Sequence, residues 1–193
     1  AEFKVGRYGG DLATQTKATG FFRVEQIDGR WWLVDPEGHL FLSTGAKGVS
    51  GGRSGENAGL SLRRMAAWGL NTIGNWSSLR PNGEKDRRAY ATMFRPPRSE
   101  PYYLGLPDVY SEEFARAVGQ AAEKMCAPLK NDPWLLGYFL GNEPPWPRRE
   151  SELVGMFLGG PDCATKAALI AYLAEGDTPA RRADFIAGMF ERY

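Results

Sequence analysis

The chain has 193 residues, with 24 Lys and Arg against 23 Asp and Glu, so its formal net charge is +1. This balance argues against a polyanionic partner, and neither nucleic acid nor a membrane surface is expected to bind. Hydrophobic residues make up 42% of the chain and aromatic residues 12%, which is enough for a core and excludes global disorder. A chain of this length forms one domain or an incomplete piece of a larger one.

The cysteine and histidine content predicts no metal site and no other cofactor. Cys126 and Cys163 have no further Cys or His at ligand spacing, and His39 is the single histidine. No familiar zinc pattern can be assembled from these three residues. A disulfide between the two cysteines cannot be deduced from sequence alone, so the redox compartment stays open.

No targeting or membrane-spanning segment is predicted. The sequence lacks a basic stretch followed by an apolar one at its start, and no apolar run approaches the roughly 18 residues of a spanning helix. The chain is therefore expected to be soluble as given. The opening Ala1-Glu2-Phe3 fits a cloning scar as well as native sequence. In the first case, a signal of a secreted or periplasmic protein, or an upstream domain, has been removed.

The first 40 residues predict a tail and β-hairpins that pack on the rest of the chain. Phe22, Val24 and Ile27 approach a period of two before Asp28-Gly29, a dipeptide typical of tight hairpin turns. A second apolar run, 31–34, leads into a further Pro and Gly turn, after which the chain extends again. Three short strands are predicted before the first helix.

From residue 41 onward, predicted strands alternate with helices, which is the order of an α/β fold with parallel strands. The predicted parallel strands span 41–45, 70–75, 89–94 and 134–141. Four such strands are half of a (β/α)8 barrel. Residues 41–193 are therefore predicted to form a half barrel, from the first to the fourth βα unit.

The helices are predicted from apolar spacing and capping residues. Leu62, Met65 and Trp68 lie on one face of the first helix, and Ser111 is predicted to cap the second. Two further helices are predicted near 150–158 and 165–173. A last helix is expected to begin at Thr178-Pro179.

Glu143 is the sharpest candidate for a catalytic residue. It follows the last predicted strand, next to Asn142 and before Pro144-Pro145-Trp146. The carboxyl ends of barrel strands form the active-site face, where partial desolvation would suit a glutamate to donate a proton. Asn142 can hydrogen-bond a sugar hydroxyl, and Trp146 offers a flat face to a pyranose ring. Alternatively, Glu143 caps the next helix or pairs with Arg148.

Three segments in order resemble a known family: FFRVEQIDGRWWLVDPEGHLFLSTG, WGLNTIGNWS and LLGYFLGNEPPW. The pair Asn142 and Glu143 resembles the acid/base signature of the large clan of retaining (β/α)8 glycoside hydrolases. The three segments together are similar to its agarase-type and β-galactosidase-like bacterial members. The resemblance runs from about Thr19 to the C-terminus. It implies a partial TIM barrel and a hydrolase acting on β-linked poly- or oligosaccharide.

The resemblance also implies roles for individual residues. Glu143 takes the general acid/base position, and Asn142 contacts the sugar 2-hydroxyl. Asn75 and Trp76 line the sugar-binding cleft, as does Lys47, and hydrophobic loop packing is the competing interpretation for Trp76 and Trp146. In this clan the nucleophilic glutamate closes the seventh strand. The nucleophile is therefore expected to be missing from this chain.

Half a barrel would leave two edge strands and an apolar face uncovered. Two copies related by a two-fold axis would complete eight strands, so a homo-oligomer is predicted in addition to a carbohydrate ligand. Three interpretations follow. The chain is an active hydrolase, a catalytically inactive carbohydrate-binding fragment, or a self-associating structural module.

Overall fold

A computed structural model describes residues 4–51, 57–78 and 87–193; the opening Ala1-Glu2-Phe3 lies outside the described residues. The chain divides into two compact units. Unit 1 comprises Ala1–Met93 and Leu129–Phe139, and unit 2 comprises Phe94–Pro128 and Leu140–Tyr193.

Unit 1 begins with a three-stranded antiparallel sheet of β1 (Arg23–Ile27), β2 (Arg30–Val34) and β3 (Leu40–Phe41). The turn between β1 and β2 is Asp28-Gly29, with φ angles of +50° and +75°. A turn with two positive φ angles matches the twist of a hairpin, which explains why this dipeptide stands here. Asp35 holds the next turn, because its Oδ1 accepts from the backbone N–H groups of Glu37 and His39 at 2.9 Å each.

The second sheet of unit 1 is parallel. Its strands are β4 (Gly45–Ala46), β5 (Thr72–Ile73), β6 (Ala89–Met93) and β7 (Leu135–Phe139), and they neighbour one another in chain order. Helix α1 (Ala58–Ala67) precedes β5 and buries Leu62 and Met65 in one apolar cluster with Ile73 and Trp134. The predicted α/β class with a parallel sheet is confirmed.

Two predictions for unit 1 are wrong in detail. Phe41 belongs to the antiparallel sheet, where it lies opposite Leu33, and the first parallel strand starts only at Gly45. Packing explains the difference, because the buried Phe41 ring contacts Phe22 of the same region with ring centroids 4.9 Å apart. Trp68, predicted on the buried face of the first helix, is the exposed C-cap residue of α1.

Unit 2 is built from helices α2 (Glu112–Met125), α3 (Glu150–Gly159), α4 (Ala164–Leu173) and α5 (Pro179–Arg192). The predicted caps are confirmed. Ser111 Oγ accepts from Phe114 N–H at 3.1 Å, and Thr178 Oγ1 accepts from Arg181 N–H at 3.2 Å. The buried apolar cluster of unit 2 comprises Leu106, Val109, Phe114, Leu153, Val154, Phe157, Leu169, Phe185, Ile186 and Met189.

A buried carboxylate fixes the start of α4. Asp108 Oδ1 accepts from the backbone N–H of Thr165 at 2.7 Å and from its hydroxyl at 2.6 Å, and Oδ2 accepts from Ala164 N–H at 3.2 Å. A negative charge at a helix N-terminus also interacts favourably with the helix dipole. Asp108 is thus a structural residue.

Within the part of the chain that the structure describes, no single helix is long and apolar enough to cross a membrane. Helices α3 and α4 reach that length and composition only as a pair, and the chain bends by 116° between them.

Candidate active site

Two predicted sugar-binding residues meet at the carboxyl end of the parallel sheet in unit 1. Lys47 directly follows β4 and Trp76 follows β5, and these two strands are paired in parallel. The Lys47 ammonium nitrogen lies 5.5 Å from the Trp76 ring centroid, which is the geometry of a cation–π contact. Because Lys47 and Trp76 are both exposed, this pair presents an aromatic ring and a positive charge to solvent.

Asn75 lies beside this pair but is buried, with 4% of its surface exposed. Its backbone carbonyl accepts from Gly48 N–H at 3.1 Å. Among the described residues, the side-chain amide has one hydrogen-bond partner, the sulfur of Met93 at 4.0 Å, and a thioether is a weak acceptor. The amide therefore keeps unused hydrogen-bonding capacity at the strand end, although little of it is accessible.

The backbone of Trp76 is strained. Its φ is +58°, a left-handed conformation that costs an L residue with a side chain about 1–2 kcal/mol. Ser77 stabilises the turn, because its hydroxyl donates to Gly74 O at 2.6 Å and accepts from Val49 N–H at 2.9 Å. Half of Trp76 is exposed at 50%, which disfavours the competing interpretation of hydrophobic loop packing. Strain at an exposed aromatic residue is typical of binding sites.

Glu143 lies in the loop that joins β7 to α3, in unit 2. The strand ends at Phe139, two residues earlier than predicted, and both Asn142 and Glu143 are exposed. The expected partial desolvation of Glu143 is therefore not observed. Gly141 and Glu143 have φ angles of +142° and +42°, so the chain leaves the strand direction before it reaches the carboxylate.

The structure shows Glu143 in neither alternative role, and helix α3 has no side-chain cap among the described residues. Arg148 N–H donates to Glu150 Oε1 at 3.0 Å at the start of α3, where a cap was considered. Arg149 forms its ion pair with Glu152 at 2.6 Å. The Arg149 hydrogen bond holds the pKa of Glu152 below its ordinary value. Across residues 4–51, 57–78 and 87–193, Glu143 has no hydrogen bond or ion pair.

Trp146 differs from Trp76 in its exposure. It is half-buried, packs on the core of unit 2, and its ring centroid lies 5.7 Å from that of Phe190. Its indole Nε1 is buried and has no hydrogen-bond partner among the described residues. This geometry matches hydrophobic loop packing, and a sugar-platform role for Trp146 stays a prediction.

The described residues contain no group of three or more His, Cys, Asp or Glu side chains placed to hold a metal ion. The candidate residues fall in both units. Unit 1 contains Lys47, Asn75 and Trp76, and unit 2 contains the loop with Asn142, Glu143 and Trp146.

The chain is similar in sequence to two known agarases. No protein-family model matches the chain. Beta-agarase B of Vibrio sp. (strain JT0107) is 24% identical over 215 residues, covering 67% of this chain and 22% of that protein. Beta-agarase A of the same strain is 25% identical over 207 residues, covering 70% of this chain and 21% of that protein. The chain therefore spans about a fifth of the length of these curated relatives.

Solved structures agree in fold. The crystal structure of an agarase, AgWH50C, matches with a TM-score of 0.75 at 20% identity, over 96% of this chain and 40% of that one. An exo-beta-agarase matches with a TM-score of 0.75 at 19% identity, over 92% and 40%. BpGH50 matches with a TM-score of 0.76 at 20% identity, over 98% and 51%. At this identity the likeness establishes the fold alone.

Proposed function

We propose that this chain is part of a glycoside hydrolase acting on β-linked polysaccharide, with Glu143 as the general acid/base. The proposal rests mainly on the exposure of Glu143 and on its position in the chain. Glu143 is an exposed glutamate without a partner among the described residues, in the loop after the fourth parallel strand. The curated relatives are named as β-agarases, which supports the same reaction class.

In the proposed reaction, the Glu143 carboxyl group donates its proton to the glycosidic oxygen while the bond from that oxygen to the anomeric carbon breaks. The resulting carboxylate then takes a proton from the water that completes hydrolysis. The glycoside hydrolase clan that the sequence resembles uses a retaining mechanism. This mechanism requires a second carboxylate as nucleophile, roughly 5 to 5.5 Å from the acid/base carboxyl group. That partner is unassigned in this proposal.

The remaining candidates are proposed to bind sugar. Trp76 stacks against a pyranose ring with Lys47 at its face, and the Asn75 amide hydrogen-bonds a hydroxyl at the strand end. Asn142 contacts the 2-hydroxyl, and Trp146 borders the same loop.

The test is the release of reducing ends from agarose by the wild-type chain and by Glu143→Gln. Loss of a general acid/base lowers the rate by roughly a hundredfold or more. Glu123→Gln is the matched control, because Glu123 is an exposed glutamate of α2. Equal rates for wild type and Glu143→Gln would contradict the assignment of Glu143.

A second candidate function is carbohydrate binding without turnover, favoured by the exposed Trp76 and Lys47 pair. It predicts that agaro-oligosaccharides bind the wild-type chain, that Trp76→Ala abolishes binding, and that Trp68→Ala does not. Trp68 is the control because it is a similarly exposed tryptophan of unit 1. Binding in the absence of any wild-type turnover would favour this function over hydrolysis.

Self-association is proposed as the third property. Within the described part of unit 1, β4 and β7 form the two edges of the parallel sheet, and Phe139 at the end of β7 is 48% exposed. We expect two copies to complete an eight-stranded barrel from the half barrel of residues 41–193, with residues 1–40 packed on it. Light scattering at micromolar concentration that gives the mass of one chain would contradict this arrangement.

A further inference from the structure

A cavity of about 560 Å³ lies in unit 1, at the amino-terminal end of the parallel strands. Residues at or near the start of each strand line it: Thr44, Asn71, Arg88 and Trp134. Lys47 and Trp76 follow their strands, so they lie at the opposite end of the same sheet. The volume falls within the roughly 300–1,000 Å³ of small-molecule sites. This cavity is therefore distinct from the proposed sugar-binding residues of unit 1.

The described lining of the cavity is positively charged. It includes Arg7, Arg87 and Arg88 and no Asp or Glu. Arg87 is already neutralised, because its Nη2 lies 3.2 Å from both carboxylate oxygens of Asp132. In the described parts of the chain, neither Arg7 nor Arg88 has a carboxylate partner. Within the described residues, the guanidinium groups of Arg7 and Arg88 therefore have capacity to pair with an anion.

Trp134 forms part of the cavity wall. It is 4% exposed, and its indole Nε1 has no acceptor among the described residues. The guanidinium carbons of Arg7 and Arg87 lie 6.0 and 5.6 Å from its ring centroid. Its backbone is fixed, since its N–H donates to Asp132 Oδ1 at 3.0 Å. The Trp134 ring is thus held in the cavity wall, where its indole N–H signal can report on a bound ligand.

We propose that this cavity binds a small organic oxyanion, a carboxylate carried on a ring. The carboxylate pairs with the guanidinium groups of Arg7 and Arg88, because charge-assisted hydrogen bonds to arginine are the strongest available there. The ring lies against the apolar lining, which includes Val5, Leu42 and Leu70.

Two pairs of ligands, each with one charged and one neutral member of similar shape, test whether the carboxylate is required for binding. The two pairs also distinguish a sugar ring from an aromatic ring. Glucuronate is compared with glucose, and benzoate with benzamide. Titration is followed by the indole N–H signals in ¹H–¹⁵N spectra of the 193-residue chain, with the Trp134 signal assigned from Trp134→Phe. We expect at least one carboxylate to shift the Trp134 signal and its neutral counterpart to leave it unchanged. The preferred carboxylate identifies the ring as a sugar or an aromatic group.

Substitution of the arginines tests the contacts directly. Arg7→Gln and Arg88→Gln are each expected to weaken carboxylate binding by at least about tenfold. Arg116→Gln is the control, because Arg116 is an exposed arginine of α2 in unit 2 and should leave the affinity unchanged. Far-UV circular dichroism checks that each variant is folded. Equal binding of neutral and charged ligands, no shift of Trp134, or unchanged affinity in both arginine variants would overturn the proposal.

Discussion

The two units of the chain differ in what they bury. The buried apolar cluster of unit 2 consists of aliphatic, methionine and phenylalanine side chains and is supplied mainly by helices α3, α4 and α5. The core of unit 1 contains Tyr8, Tyr90 and Trp134, whose rings carry polar groups. The Tyr90 hydroxyl donates to Asp132 at 2.9 Å, so this core borders on the ion pair of Arg87. Unit 2 resembles a packed helical scaffold, whereas unit 1 places polar groups at both ends of its sheet.

This difference indicates where substitutions affect stability and where they affect binding. Apolar burial contributes most of the folding free energy, so unit 2 should be the more sensitive to core truncation. At the strand ends of unit 1, the exposed and strained Trp76 should contribute less to stability than a buried core side chain. The predictions below test this division.

The largest effect is expected in the core of unit 2. Leu169 is fully buried in α4, whereas the next residue, Ile170, is 53% exposed. Leu169→Ala should lower the free energy of unfolding by about 3 kcal/mol, because it removes buried methyl groups and leaves a cavity. Ile170→Ala is the matched control and should cost well under half as much. Urea unfolding measures both, and similar losses at the two positions would contradict the assignment of this core.

The next effect concerns the one buried carboxylate of the described part of unit 2. Asp108→Ala removes the acceptor for Thr165 and Ala164 at the start of α4, which leaves their donors buried. A loss of about 2 kcal/mol in the free energy of unfolding is expected. Asp162→Ala serves as comparison, since that side chain is fully exposed. If thermal unfolding shows a larger loss of stability for Asp162→Ala than for Asp108→Ala, the structural role of Asp108 is refuted.

In unit 1, the strained position Trp76 should reverse the usual ranking of alanine and glycine. At φ +58° glycine has no Cβ clash, so Trp76→Gly should be more stable than Trp76→Ala by about 1 kcal/mol. Trp68, with φ −94°, is the control. There alanine should be at least as stable as glycine. Urea midpoints of the four variants decide this, and the same ranking at both positions would contradict the strain.

The smallest effect is expected at the surface pair of Arg149 and Glu152. The hydrogen bond from Arg149 lowers the pKa of Glu152 in the folded chain. A lowered folded pKa means that the pair stabilises the fold above the unfolded pKa, near 4.3, and that this contribution is lost as pH falls through the folded pKa. Glu152→Gln should therefore reduce Tm slightly at pH 7 and leave it unchanged at pH 2, where thermal scans are compared. An exposed ion pair contributes little, so a large change at pH 7 would be unexpected.

Local patterns were enough to predict the class of the fold and several element ends. The Asp28-Gly29 turn, the caps Ser111 and Thr178, and the α/β order all depend on residues close together in sequence. The prediction that Phe41 begins the first parallel strand was wrong. Its place in the antiparallel sheet goes with packing against Phe22, which the residues next to Phe41 in the sequence do not reveal. The prediction that Trp68 lies on the buried face of the first helix was wrong, because helical spacing alone does not reveal that α1 ends at Ala67.

For the candidate site, the sequence determined which residue types follow each parallel strand, because the order of strands and polar residues is written in the chain. It selected Glu143 on that basis, whereas Lys47, Asn75 and Trp76 were selected from the family resemblance. Only the tertiary structure decided their exposure: it opened Glu143 to solvent, buried Asn75, and brought Lys47 over the Trp76 ring. It also assembled the arginine-lined cavity around Trp134, from segments near residues 7, 88 and 134. Distances between such remote segments depend on how the strands pair, which no local pattern encodes.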